Sequence, residues 1–106
     1  MTPPDGSEPR VLLHAPTAGA LIRARSNVAN IAKSAPHRIV RIVVNSEAVA
    51  ATLDAPDAAA DALTWVCPNS LAKIGREAPR PLTVLPEGAV LAIARMQMEG
   101  WCYVRA

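Results

Sequence analysis

Residues 10–44, RVLLHAPTAGALIRARSNVANIAKSAPHRIVRIVV, decide the fold. The first five, RVLLH, form a short apolar run that reads as a buried strand. Pro16 and Thr17 then open a segment, 17–34, in which Leu21, Ala24, Val28 and Ile31 recur at helical spacing. Arg23, Arg25 and Lys33 lie off that line. Ala35-Pro36 ends the segment, because a residue before proline is pushed out of the helical region. Residues 38–44, RIVRIVV, are rich in β-branched side chains and give the strongest strand signal in the chain.

The same alternation continues outward. Asn45 and Ser46 break the second strand, and EAVAATL (47–53) reads as a short helix with Ser46 as its candidate N-cap. DAPDAAAD (54–61) reads as a loop with a helical turn. ALTWV (62–66) is a third strand, followed by a helix over NSLAKI that Gly75 closes. LTVL (82–85) is a fourth strand, residues 86–99 are a helix stopped by Gly100, and WCYVR (101–105) is the last strand. Five strands alternating with four helical segments predict an α/β fold: three layers, α/β/α, around a mostly parallel five-stranded sheet. The 106 residues suit one domain over 10–106, with the proline-bearing residues 1–9 as a loose tail.

In the last helix Val90, Leu91, Ile93, Ala94, Met96 and Met98 point in too many directions for a single buried face. Either a second subunit covers the remainder, or some of these side chains are exposed.

Composition narrows the function classes. The net charge is +2 with the signs interspersed, whereas nucleic-acid binding calls for a concentrated basic surface. No run of about 18 apolar residues is present to span a membrane. The first ten residues lack the basic start and apolar segment of a signal peptide. A cytoplasmic protein with reduced thiols is expected. Two cysteines and two histidines show no metal-site spacing, and Gly75, Gly88 and Gly100 fall at helix ends rather than in a phosphate loop. No cofactor is implied.

Loops that follow the strands of a parallel sheet gather at one edge, which is where ligands bind. That edge is expected to carry His14, Asn45 and Cys67. Pro68 suits the first position of a helix, so Cys67 stands just before it, beside unpaired backbone amides that favour a thiolate. Cys67 is therefore either a nucleophile or carrier of sulfur, or an inert space-filling cysteine. His14 is either a base or donor or a satisfied structural histidine. Asn45 may do no more than close its strand with a turn. Cys102, between Trp101 and Tyr103, points away from both and is expected in the core. A thioredoxin-like site is disfavoured, because only strand, helix and strand follow CPNS.

Three segments carry a family resemblance: ALIRARSNVANIAK (20–33), VCPNSLAKIG (66–75) and VLPEGAVLAIARMQMEGWCYVRA (84–106). In this order they resemble the DsrE/DsrF-like family, specifically its short YchN-type members. The resemblance implies a parallel five-stranded sheet between helices and a homotrimer or homohexamer. It also implies a sulfur relay in which a cysteine accepts persulfide sulfur from a donor protein and passes it to an acceptor. That role falls on Cys67, with His14, Asn45, Asn69 and Ser70 as candidate binding residues beside it. The alternative is a non-catalytic oligomeric module that binds a small molecule at the same edge. The chain departs from the family in one place: where the family often has a glycine-containing loop after the second strand, it has NSEAV (45–49).

Overall fold

The computed structural model describes residues 9–106, so all but the last residue of the expected tail lies outside the described part. The elements run β1 (Arg10–Ala15), α1 (Ala18–Ser34), β2 (Val40–Val44), α2 (Glu47–Asp54), α3 (Ala58–Asp61), β3 (Thr64–Val66), α4 (Pro68–Ile74), β4 (Thr83–Val84), α5 (Ala89–Met98) and β5 (Trp101–Arg105). All five strands are parallel, in the order β4-β3-β2-β1-β5. The expected helical turn within 54–61 is α3, which Asp57 caps by accepting the Ala60 amide at 3.1 Å.

Topology assigns the helices to faces. From β1 the chain steps sideways through β2 and β3 to β4, and then returns past β1 to lay down β5. Right-handed crossovers demand that a reversal of direction puts the connecting helix on the opposite face. Accordingly α1 to α4 cover one face, packing Leu21, Ala24, Val49, Ala60 and Leu71 onto Leu13, Ile42, Val44 and Val66. The α5 helix covers the other face, with Ala89, Ala92, Ile93 and Met96 against Leu12, Val43, Cys67 and Trp101. Leu12, Ile42, Val43 and Val44 are fully buried, each removing side-chain surface worth about 1.5–3 kcal/mol from water.

Several expectations need correction. Ser46 occupies the N-cap position of α2 but makes no capping bond through its side chain. Its backbone lies at φ 51°, ψ −133°, a region that glycine tolerates and other residues rarely enter. Cys102 is exposed rather than in the core, because β5 is an edge strand with a helix over one face only. The α5 helix begins at Ala89, three residues after Pro86, because Gly88 is its N-cap. Its buried residues form one stripe at helical spacing, while Val90 (78 % exposed), Leu91 (51 %) and Met98 (89 %) lie outside it. Among the described residues no helix is long and apolar enough to cross a membrane.

Away from the carboxyl edge of the sheet, the Arg41 guanidinium lies 4.1 Å from the Trp65 ring centroid and 4.5 Å from that of Trp101. The Arg10 guanidinium lies 5.1 Å from the ring centroid of the same Trp101. Arg41 Nη1 also lies 3.3 Å from Met96 Sδ, so the stack sits against α5.

Candidate functional site

The connections after β3 and β4 leave the sheet in opposite directions, α4 to one face and α5 to the other. In an open parallel sheet the crevice at such a divergence is where ligands bind. Cys67 stands in it. The thiol-bearing residue is the N-cap of α4, with Pro68 at the first helical position. The N-terminus of α5 meets it from the far side, where the Ala89 amide donates to Cys67 Sγ at 3.4 Å.

Among the described residues, the groups that hydrogen-bond to the sulfur are donors. Burial pushes the Cys67 thiol up. Against that, the amides of Ser70 and Ala89, the Ser70 hydroxyl and the Asn69 amide each favour the thiolate, and the outcome is a lowered pKa. The Ser70 hydroxyl is itself oriented: its oxygen accepts the Ser46 amide at 2.9 Å, which leaves its proton for the sulfur. The unusual backbone of Ser46 thus serves a local purpose, since it aims that amide at Ser70.

Cys67 is only 5 % exposed, and its apolar neighbours are Leu12, Val43, Leu85 and Ala89. It nevertheless lines an open cleft of about 520 Å³, together with Asn45, Asn69, Gly88, Ala89 and Leu91. The Asn69 side chain lies so close over Gly88 that a Cβ at position 88 would approach its amide nitrogen to 2.8 Å. A second cleft of about 660 Å³ lies on the α2 side of α4, lined by Ser46, Glu47, Ser70 and Lys73, and shares Asn69 with the first.

No protein-family model matches the chain, and no curated protein is similar to it.

The five residues singled out from the sequence fall along one polar row. His14 lies within β1, one residue before its end, rather than after it. Its Nε2 is 2.9 Å from Asn45 Oδ1, and its Nδ1 is 2.7 Å from the Tyr103 hydroxyl. Asn45 shares the cleft with Cys67 and Asn69, and Ser70 reaches the sulfur from the other side. Neither Tyr103 nor Ala89 was expected at the site. The alternation of β5 places Tyr103 on the face of Trp101, and pairing with β1 brings it beside His14; that signal is readable only once the strand order is known. Ala89 contributes a backbone amide, which has no side-chain signature.

Proposed function

We propose that this protein handles sulfur through the thiolate of Cys67, as the resemblance of three of its segments to the DsrE/DsrF-like family implies. The observation that carries the reading is the convergence of donors from two helices and one hydroxyl on Cys67 Sγ. Such donors hold a thiolate, the form that attacks sulfane sulfur. In the step proposed, the Cys67 thiolate attacks the outer sulfur of a donor persulfide. A new S–S bond forms at Cys67, the donor's S–S bond breaks, and the donor leaves as a thiolate with the electron pair. Attack on that outer sulfur by an acceptor thiolate returns Cys67 to its starting state, so no external oxidant or reductant is consumed.

The reading places the protein in a reducing compartment such as the cytoplasm. It also favours a homo-oligomer, supported by the exposed Val90, Leu91 and Met98 along α5. The test is to treat the protein with a persulfide donor and map the added sulfur by mass spectrometry. A mass increase of one sulfur on Cys67 supports the reading; modification confined to the exposed Cys102 contradicts it.

The near-complete burial of Cys67 among Leu12, Val43 and Leu85 favours a second reading. In it the two adjoining clefts bind a small molecule without covalent chemistry, and Cys67 is part of the wall. Ligand binding that survives Cys67→Ser unchanged would support this second reading.

A further inference from the structure

Tyr103, His14, Asn45 and Cys67 belong to neighbouring strands β5, β1, β2 and β3, or to the residues directly after them, on the face that α5 covers. The hydrogen bonds along the row have a direction. A carboxamide oxygen can only accept, so the contact between His14 Nε2 and Asn45 Oδ1 puts the imidazole proton on Nε2. In the neutral ring Nδ1 is then the acceptor, and the Tyr103 hydroxyl donates to it. With its oxygen engaged, Asn45 has its Nδ2 left over, and that nitrogen makes no hydrogen bond among the described residues. Asn45 lines the cleft beside Cys67, and among the described residues no carboxylate lines it with them.

We propose that Tyr103 and His14 are positioning residues that turn the Asn45 carboxamide so that its N–H groups face the Cys67 cleft, making the cleft selective for anionic thiol-reactive ligands over neutral ones of the same size. The inference deepens the sulfur-handling reading and rests on its premise of a reactive Cys67. It names the substrate class as anionic, such as a persulfide with a neutral outer sulfur whose carrier bears a carboxylate. A donor aimed at an anion is worth more than one aimed at a neutral group, because a charge-assisted hydrogen bond is roughly twice as strong. Were the amide reversed, its oxygen would repel the same ligand.

The experiment compares alkylation of Cys67 by iodoacetate, which is anionic, and iodoacetamide, which is neutral and nearly isosteric, with Cys67 and Cys102 resolved by mass spectrometry. Asn45→Asp keeps the acceptor for His14 but replaces the N–H groups with a carboxylate oxygen. It should lower the iodoacetate-to-iodoacetamide rate ratio at Cys67 by about tenfold, the effect of losing one charge-assisted bond. The iodoacetamide rate should fall as well, because a new carboxylate in the same cleft raises the Cys67 pKa; that loss of thiolate is common to both reagents and cancels in the ratio. His14→Leu should lower the ratio by about threefold, as expected from losing one neutral hydrogen bond, and His14→Gln, which retains a side-chain N–H, should restore it. Tyr103→Phe, a deletion at a partly exposed position, should lower the ratio in the same sense and carries the test if a His14 or Asn45 variant does not fold. A ratio unchanged by Asn45→Asp or by Tyr103→Phe overturns the proposal. So does a His14→Leu effect equal for both reagents, which would mark a purely structural role. If the ratios shift as expected while Cys67 takes up no sulfur from a persulfide, the positioning role stands and the sulfur-relay reading falls.

Discussion

The backbone amide of Ala89 donates to the sulfur of Cys67 across 3.4 Å and 22 residues of sequence. That bond joins the first residue of α5 to the residue preceding α4, at the place where the two helices part for opposite faces of the sheet.

Ser70 supplies both an amide and a hydroxyl to Cys67. Removing the hydroxyl in Ser70→Ala leaves the amide in place and deprives the Ser46 amide of its acceptor. A hydrogen bond to a charged group contributes about 1.5–3 kcal/mol, so the pH midpoint for alkylation of Cys67 should rise by about one unit. A pH–rate profile on the variant measures it.

The depressed thiol pKa also has a consequence for stability. Between the folded-state pKa of Cys67 and the ordinary thiol value of about 8.5, the unfolded chain binds more protons than the folded one. Stability therefore rises with pH across that window. The contribution is complete above the unfolded pKa and is lost as pH falls through the folded one. Cys67→Ser removes it, so the difference in denaturation midpoint between the natural chain and the variant should widen as pH is raised through the window. Urea titrations at several pH values check the sign.

Ser46 holds φ 51°, ψ −133° without the freedom of glycine. Ser46→Gly should relieve that strain while keeping the amide that Ser70 accepts. After allowance for the greater entropy of glycine in the unfolded chain, a gain of about 0.5–1.5 kcal/mol is expected. Thermal denaturation should show a rise of several degrees, with the reactivity of Cys67 unchanged.

Arg41 is stacked against Trp65 and Trp101 at a distance from the carboxyl edge. Burial lowers its pKa, Glu99 raises it and Arg10 lowers it further. Arg41→Ala should cost about 1–2 kcal/mol of stability from the lost stacking, without altering the alkylation rate of Cys67. Paired melting and alkylation measurements test both halves.

Much of this architecture was legible in the residues. The β-branched run 38–44 and the helical spacing of Leu21, Ala24 and Val28 supply the first parallel crossover. Pro68 and Gly75 mark the two ends of α4, the latter in the left-handed conformation expected of it. Cys102 was misplaced because period-two alternation tells which face a residue takes, not whether anything covers that face. Ser46 was misread because its side chain is a good helix cap, whereas the tight link from β2 to α2 imposes a backbone that no propensity would assign to serine. His14, Asn45 and Cys67 were placed at one edge by the alternation of strands and helices, because loops after parallel strands gather there. Their link to Tyr103 depends on β5 returning to the far side of β1, a choice of topology that local sequence does not encode.

The most direct test is the pH dependence of Cys67 alkylation by iodoacetamide, with a small free thiol as the reference. The rate at Cys67 should reach its plateau at lower pH than an ordinary thiol of pKa about 8.5. A Cys67 midpoint at or above the ordinary value would contradict the claim that the converging donors hold a thiolate.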